Sequence, residues 1–340
     1  MMGTRFARRV ALAAGAVAAL CGPVAAGEIT GAGSTFVYPI LSKWSADYSA
    51  KFGDRVNYQS IGSGGGIAQI KAGTVAFGAT DKPLAPEELA QAGLAQFPVV
   101  IGAIVPVVNI AGVRPGQIKF TGPVLAAIYL GVIKNWNDPI LHKLNPALRL
   151  PNAAITVVHR SDGSGTTYNW AYYLGEVSAV WKKDVGAGTS IQWPVGVGGK
   201  GNEGVAAYVN QIPNSIGYVE YAYVIQNHMK WGYVFNNAGR FVAPTVAAFQ
   251  AAAATADWAH SKDFDLVMTN APGPAAYPIT ATTFVLMYKQ PKDPALSQSA
   301  LKFFKWSLEH GQPDATALDY VWLPPVLVKQ IERYWAAQIK

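Results

Sequence analysis

Residues 160–166 are the segment whose residue types and spacing most clearly predict chemistry, with the sequence Arg-Ser-Asp-Gly-Ser-Gly-Thr. Arg160 offers a planar, permanently charged fork of donors that suits an oxyanion, and Asp162 is near enough to hold that fork. Apolar residues at helical spacing follow, so a helix that begins here would point free N–H groups at an anion. An ordinary turn capped by Ser164 is the alternative, but the neighbouring arginine and aspartate favour an anion site.

Three other junctions between a predicted strand and a turn carry small and polar residues of the same kind. They are residues 31–36, 62–66 and 79–81. In open α/β sheets, ligands bind at the carboxyl ends of strands, and small residues let the backbone approach a ligand closely. We therefore expect these junctions and the arginine turn to meet at one site.

Short apolar runs alternate with helix-like segments along the chain, and this alternation favours an α/β fold with mainly parallel sheets. The predicted strands are residues 56–61, 75–79, 97–105, 155–158, 216–219 and 283–288. One predicted helix face carries Leu125, Ile128, Tyr129, Val132 and Trp136. Two further helix patterns, residues 301–308 and 328–339, lie near the C-terminus.

The first 26 residues are predicted to be a secretory signal peptide, cleaved near Ala26. A basic start precedes an uncharged apolar run over residues 10–20, which is too short to span a bilayer. The only cysteine, Cys21, lies in this segment, and the bulky Leu20 before it disfavours a lipid anchor. We therefore expect an exported protein without disulfides or cysteine–metal sites, and no later segment is predicted to cross a membrane.

Composition bounds the domain number and excludes some functions. A chain of 340 residues normally forms two domains or lobes. Its net charge of +7 is dispersed, with no basic stripe, so nucleic-acid binding is not expected. The five histidines lack the spacing of a metal site, and we expect neither a metal nor a cofactor.

The four junctions closely resemble those of the periplasmic phosphate-binding proteins that serve bacterial ABC-type phosphate transporters. The matching stretches are residues 31–36, 61–66, 77–81, 160–166, 216–222 and 277–284. The similarity covers essentially the whole mature chain in order and spacing. The sequence departs from the family pattern at Ser34, at residues 37–38 and at Thr80, and none of these changes removes a ligand-bearing group.

The resemblance implies a two-lobed, type II binding-protein fold, with two mainly parallel sheets flanked by helices and a ligand cleft between the lobes. The chain would cross between the lobes near residues 100–106 and again near residues 278–284. Lobe one would comprise residues 27–102 and 283–340, and lobe two residues 103–282. Closure around a ligand would be a hinge motion.

The resemblance also implies the ligand, which is inorganic phosphate as HPO4 2− or H2PO4 −, bound by both lobes. Lobe one would contribute Thr35, the backbone N–H of Phe36, Ser63 and Asp81. Lobe two would contribute Arg160, Ser164, Gly165 and Thr166, with Asp162 paired to Arg160. The protein would be a monomeric, non-enzymatic periplasmic receptor that delivers phosphate to the permease subunits of the transporter.

Asp81 is the residue expected to discriminate between anions. A carboxylate repels an anion unless the ligand brings a proton to share, which hydrogen phosphate does and sulfate at neutral pH does not. Such a contact could discriminate by roughly 10⁴-fold. Taken without the resemblance, Asp81 is better interpreted as a solvated capping residue.

Two other functions compete with phosphate transport. One is binding of a different tetrahedral oxyanion, namely arsenate, sulfate or molybdate, of which arsenate should also satisfy Asp81. The other is a secreted phosphatase or other hydrolase. Neither Ser63 nor Ser164 has the glycine two residues earlier that a nucleophile elbow requires, and no nucleophile–base pair is visible.

Residues 196–201 match the glycine spacing of a dinucleotide-binding motif, and Glu220 follows about 20 residues later. Pro194 just before the motif and the exported setting argue against a nicotinamide enzyme. We interpret the segment as a glycine-rich loop that leads into a helix near Val205 and Tyr208.

Overall fold

The computed structural model describes residues 28–340. The predicted signal peptide, Cys21 and the cleavage position near Ala26 lie outside the described residues. The strands are β1 (Ile29–Gly33), β2 (Val56–Ser60), β3 (Phe77–Thr80), β4 (Leu94–Asn109), β5 (Ile118–Phe120), β6 (Thr156–Arg160), β7 (Val197–Gly199), β8 (Ser215–Glu220), β9 (Lys230–Phe235), β10 (Phe241–Val242) and β11 (Thr280–Tyr288).

Helices alternate with these strands along the chain. They are α1 (Tyr38–Phe52), α2 (Ser63–Ala72), α3 (Pro86–Ala92), α4 (Gly122–Tyr129), α5 (Pro139–Leu144), α6 (Gly165–Val177), α7 (Ala179–Asp184), α8 (Gly201–Gln211), α9 (Tyr221–Gln226), α10 (Val246–Ala253), α11 (Pro294–His310), α12 (Gln312–Ala317) and α13 (Pro325–Gln338). A short 3-10 helix covers Lys262–Phe264.

One long strand, β4, joins two regions of the sheet, whose strand order is β2-β1-β3-β11-β4-β8-β6-β7. Residues 94–103 of β4 pair with β11, and residues 104–109 pair with β8. We call β2, β1, β3, β11 and residues 94–103 the first sheet region. The second sheet region comprises residues 104–109, β8, β6 and β7. Residues 100–106, where the first crossover is predicted, therefore lie within one uninterrupted strand.

The predicted α/β class is confirmed, but the prediction of two mainly parallel sheets needs correction, because the sheet is mixed. Strand β1 is parallel to β2 and β3, and β6 is parallel to β7 and β8. Strand β11 is antiparallel to β3 and β4, and β4 is antiparallel to β8 and β9. Strand β4 runs through both sheet regions and β11 returns the chain to the first, and both strands are antiparallel to their neighbours.

The helix predicted over residues 125–136 is shorter than expected. Helix α4 ends at Tyr129, and Gly131 follows with a φ of +70° that turns the chain away. Val132 is therefore exposed, whereas Trp136 is buried and its indole N–H donates to the carbonyl of Asn214 at 2.9 Å. The apolar residues keep helical spacing across this turn, and Gly131 alone marks the turn in the sequence.

Buried strands and aromatic side chains form the core. Strand β4 is buried along nearly its whole length, as its continuous apolar run predicts. In the second sheet region Trp170 of α6 stacks on Tyr218 of β8, with ring centroids 4.9 Å apart. In the first, Phe97 packs edge-on against Trp335 of α13. Tryptophans therefore contribute to the packing of both regions.

A further connection between the regions is formed by residues 258–269, in the loop between α10 and β11. The hydroxyl of Tyr334 donates to the carboxylate of Asp263 at 2.6 Å, and Phe264 packs edge-on against Tyr334. Further along the same loop, Thr269 donates to Glu176 of α6 at 2.7 Å. The loop therefore contacts α13 beside the first region and α6 beside the second.

Gly66 of α2 provides a test of how tightly this helix packs on the sheet. A Cβ there would lie 2.6 Å from the carbonyl oxygen of Ala32 and 2.8 Å from that of Ala79, and neither backbone can move without shifting a strand. We expect Gly66→Ala to destabilise the protein by about 1–3 kcal/mol, measured by denaturant unfolding.

Gly175→Ala is the matched control, since Gly175 lies in helix α6 and a Cβ at this position would be 3.7 Å from its nearest neighbour. Helix propensity alone should stabilise this variant by about 0.5–1 kcal/mol. Equal effects of the two substitutions would contradict the proposed packing of α2.

Candidate functional site

The predicted anion-binding residues lie at strand ends and helix starts, and the structure brings them into one buried neighbourhood. Thr35 and Phe36 follow β1, Asp81 follows β3, and Arg160 ends β6. Three helices begin here: α2 at Ser63, α6 at Gly165 and α8 at Gly201. Thr35, Phe36, Ser63, Asp81, Arg160, Ser164, Gly165 and Thr166 are all buried. The positive ends of these helix dipoles therefore converge at the same place.

Asp81 is a buried carboxyl held by hydroxyls from three parts of the chain. Its Oδ1 accepts from Ser34 at 2.5 Å and from Thr283 at 2.8 Å, whereas its Oδ2 accepts from Ser63 at 3.4 Å. Burial raises its pKa from 3.8 to about 6, and the hydroxyl bonds and the charge of Arg160 oppose that rise. Its Oδ2 retains more accepting capacity than its Oδ1.

Arg160 is a buried guanidinium fixed by Asp162. Its Nε donates to Oδ1 of Asp162 at 2.8 Å and its Nη2 donates to Oδ2 at 2.5 Å, so the pair is bidentate. Burial favours the protonated form of Asp162, but the bonds and charge of Arg160 outweigh it and hold the pKa of Asp162 below its ordinary value. The Oδ1 of Asp162 also accepts from the backbone N–H of Gly201 at 3.0 Å.

The start of α6 presents backbone donors beside Arg160. Ser164 caps the helix, because its Oγ accepts from the backbone N–H of Thr167 at 3.0 Å. The backbone N–H groups of Gly165 and Thr166 have no acceptor among residues 28–340. Capping and anion binding are thus compatible at Ser164, since its own hydroxyl hydrogen remains to be donated.

The two sheet regions make direct backbone contact at this site. The N–H of Gly64 donates to the carbonyl of Gly163 at 2.9 Å. A Cβ on Gly165 would lie 2.6 Å from both the Oγ of Ser63 and the backbone N of Asp81. The amide of Asn169 donates to the carbonyl of Asp81 at 2.7 Å. Glycine is required at position 165 because any side chain would hold the regions apart.

Tyrosine hydroxyls fix the loop that carries Thr35 and Phe36. The hydroxyl of Tyr223 donates to the carbonyl of Thr35 at 2.7 Å, and that of Tyr320 donates to the carbonyl of Phe36 at 2.6 Å. The backbone N–H of Phe36 donates to Oγ of Ser34 at 3.0 Å. Burial raises the pKa of the adjacent Glu220 carboxyl well above its ordinary value, while bonds from Ala222 and Tyr320 oppose the rise.

Sequence reasoning missed four polar residues at this site. Ser34 and Thr283 donate to Asp81, and Asn202 contacts both Thr35 and Thr166. Glu220 has a sequence signal only as part of a nicotinamide motif, yet it is a buried carboxyl beside the first loop. Asn202 is signalled only by its position directly after the glycine-rich segment.

The motifs that suggested other functions have ordinary structural roles. Of the glycine-rich residues 196–201, Val197–Gly199 form strand β7, which pairs with β6, so the predicted loop is wrong at these positions. The predicted lead into a helix near Val205 and Tyr208 is confirmed, because α8 begins at Gly201. The ring of His159 stacks on Trp193 at 4.7 Å between centroids. His159 is the histidine nearest to Ser164 in the sequence, but its Nδ1 lies 3.0 Å from the carbonyl oxygen of its neighbour Arg160, and it does not form a nucleophile–base pair with Ser164.

Comparisons with known proteins agree with this architecture. The model of the PBP superfamily domain matches residues 22–310. Phosphate-binding protein PstS of Xylella fastidiosa strain 9a5c is 60% identical over 313 residues, covering 92% of this chain and 86% of the relative. PstS of Pasteurella multocida is 51% identical over 312 residues, covering 92% and 91%. The solved phosphate binding protein of Stenotrophomonas maltophilia, at 17% identity, has a TM-score of 0.67 over 91% of this chain and 94% of that one, which shows a shared fold.

The matched domain and the mixed sheet define the class as the PBP superfamily of binding proteins. Within that class, the chain belongs to the family of phosphate-binding proteins named PstS. The family resemblance drawn from the sequence is confirmed. In the part of the chain that the structure describes, no helix combines the length and apolarity needed to cross a membrane.

The raised pKa of Asp81 predicts a pH-dependent cost to stability in phosphate-free protein. Because its folded pKa of about 6 exceeds its ordinary value of 3.8, the stability contribution is fully present below pH 4 and is lost as the pH rises through 6. We expect Asp81→Asn to gain roughly 3 kcal/mol relative to the wild type between pH 4 and pH 7, measured by urea unfolding.

Asp184→Asn controls for general pH effects, since it removes an exposed carboxyl. If the difference in the free energy of unfolding between Asp81→Asn and the wild type stayed constant between pH 4 and pH 7, Asp81 would have no raised pKa.

Proposed function

We propose that this protein binds inorganic phosphate outside the inner membrane and delivers it to an ABC-type phosphate importer. The observation that carries the proposal is a buried carboxyl, Asp81, and a buried guanidinium, Arg160, among hydroxyl and N–H donors. Relatives named as phosphate-binding proteins support the same ligand. The role is binding and transport, not catalysis.

The proposed phosphate donors come from both sheet regions. They are Thr35, the backbone N–H of Phe36, Ser63, Arg160, Ser164, Gly165 and Thr166. Three N–H groups of Arg160 donate to Asp162 and Thr166, so two of its five N–H donors remain for the anion. The N–H of Phe36 would be shared between Ser34 and the ligand. Ser63 would donate to the ligand in place of its long 3.4 Å bond to Asp81, and Asp162 supports the site by orienting Arg160.

Asp81 would act as the acceptor in this set of donors. Its Oδ1 already accepts two hydroxyl bonds, whereas its Oδ2 accepts one long bond from Ser63, so Oδ2 is suited to accept the proton of the ligand. HPO4 2− and H2PO4 − both carry such a proton, and so does hydrogen arsenate. Sulfate at neutral pH presents only lone pairs, and a buried carboxylate would repel it.

The proposed lobes are residues 27–102 with 283–340, and residues 103–282. The pairing of β4 changes between Ala103 and Ile104, which supports the first hinge near residues 100–106. The start of β11 supports the second near residues 278–284. The contacts of residues 258–265 with α13 add a third connection that would limit how far the lobes open.

The proposed location and partners follow from the start of the sequence and from the proposed role in transport. The basic and apolar start of the sequence supports a signal peptide cleaved near Ala26 and a periplasmic location, with no lipid on Cys21. The protein would act as a monomer and present a different surface to the permease subunits when the lobes close.

Calorimetric titration of mature, phosphate-free protein tests the proposal directly. We expect tight one-to-one binding of phosphate, binding of arsenate, and no response to sulfate, because only the first two ligands carry a proton for Asp81. Asp81→Asn should strengthen sulfate binding by roughly 100-fold or more, since an amide can donate to a deprotonated anion.

Asp184→Asn is the matched control and should leave all three titrations unchanged. Equal binding of phosphate and sulfate by the wild type would instead indicate a general oxyanion receptor. Absence of binding for every anion would reject the site. Turnover of a chromogenic phosphate ester that is lost in Ser164→Ala would favour the phosphatase alternative.

A further inference from the structure

Asn202 is a fully buried amide that contacts both sets of proposed phosphate donors. It is the second residue of α8, and its Nδ2 donates to Oγ1 of Thr35 at 2.7 Å. The same Nδ2 lies 3.3 Å from Oγ1 of Thr166, and the backbone N–H of Asn202 donates to Thr35 at 3.2 Å. One side chain therefore links the loop after β1 to the start of α6.

The orientation of this amide is fixed by its other end. The backbone N–H of Glu220 can only donate, and it lies 2.9 Å from Oδ1 of Asn202. The oxygen of the amide must face Glu220, so the NH2 group must face the two threonines. Asn202 is thus a donor toward both hydroxyls and not an acceptor.

Two donations to one hydroxyl determine where its hydrogen points. A hydroxyl carries one hydrogen and two lone pairs. Oγ1 of Thr35 accepts from the backbone N–H and the side-chain amide of Asn202, which occupies both lone pairs. Its hydrogen must therefore be donated elsewhere. The hydroxyl of Thr166 is constrained in the same way by longer contacts, because its Oγ1 accepts from Arg160 at 3.4 Å and from Asn202.

The first turn of α8, which carries Asn202, is held by the residue that also holds Arg160. The N–H of Gly201 donates to Oδ1 of Asp162, the same oxygen that accepts from Nε of Arg160. The guanidinium and the amide are therefore positioned by one carboxylate. A shift of α8 would disturb Thr35, Thr166 and Arg160 together.

We propose that Asn202 is a positioning residue that makes the hydroxyls of Thr35 and Thr166 obligate donors to the bound anion. This inference rests on the proposed phosphate site. It assigns to Asn202 no contact with phosphate, since the amide acts through the two threonines. It also couples the contact between the two sheet regions to anion binding, because the bonds of Asn202 to Thr35 join those regions.

A double-mutant cycle on phosphate affinity tests the proposal. We expect Asn202→Ala and Thr35→Val each to weaken phosphate binding by about 30-fold in calorimetric titration. The double variant should be no more than about 100-fold weaker than the wild type, since both changes remove the same oriented donor. Losses that multiply to about 1,000-fold would overturn the proposal, because a merely structural role acts independently of the Thr35 hydroxyl.

Asn169→Ala is the matched control for the cycle. Asn169 is also a buried amide that joins the two regions, but it donates to the carbonyls of Asp81 and Gly165 and to no proposed ligand hydroxyl. Its effect should multiply with that of Thr35→Val. If the wild-type protein bound no phosphate, the proposed function itself would be rejected. If the wild type bound phosphate but the losses of the two variants multiplied, only the role of Asn202 would be rejected.

Asn202→Asp provides a second test that preserves the shape of the side chain. The new carboxylate can still accept from Glu220 but would accept from Thr35 in place of donating to it. We expect Asn202→Asp to bind phosphate at least about 10-fold more weakly than Asn202→Ala. The opposite order would show that Asn202 only fills space. Thermal unfolding of each phosphate-free variant separates these effects from misfolding.

Discussion

Orientation of hydrogen-bond donors is the constraint on which this structure depends, because the formal charge of the proposed site is not positive. Arg160 and Asp162 compensate each other as a bidentate pair, and Asp81 adds a negative charge above pH 6. Attraction of an anion must therefore come from N–H and O–H dipoles aimed at one point among buried groups. A misdirected hydroxyl would present a lone pair and repel the ligand.

The fold supplies those dipoles by placing chain reversals of the same kind side by side. Strands β1, β3 and β6 each end at the site, and helices α2, α6 and α8 begin there. Unpaired N–H groups occur at every helix start, so three converging starts provide a set of donors without additional charge. The continuous strand β4 then fixes the distance between the regions that carry them.

The parts of the site that the sequence predicted are those that depend on local structure. A strand followed by glycines and a serine specifies a turn and a helix start within a few residues, and this pattern predicts the turns that contain Ser63 and Ser164. The roles of Ser63 and Gly165 toward phosphate are what the family resemblance implies. The fold class followed from the alternation of strands and helices. The mixed pairing of the sheet did not, because hydrogen-bond partners of β4 and β11 lie far apart in the sequence.

The residues that were missed depend on contacts between distant segments. Thr283 meets Asp81 across a separation of 202 residues, and Asn202 meets Thr35 across 167. A lone asparagine or threonine carries no local signal of such a partner. Helix α4 shows the converse case, since regular apolar spacing predicted a helix through Val132 that a glycine turn ended at Tyr129.

The glycines of the turns have two roles in this structure. From the sequence they are expected to let the backbone approach a ligand, and in the structure they also let the two sheet regions approach each other. Gly64 bonds to Gly163, and Gly165 lies against Ser63 and Asp81 at distances that no Cβ could share. In the proposed site, small residues at these turns would serve specificity as well as access, because only close approach places Asp81 from one region beside the proposed donors of the other.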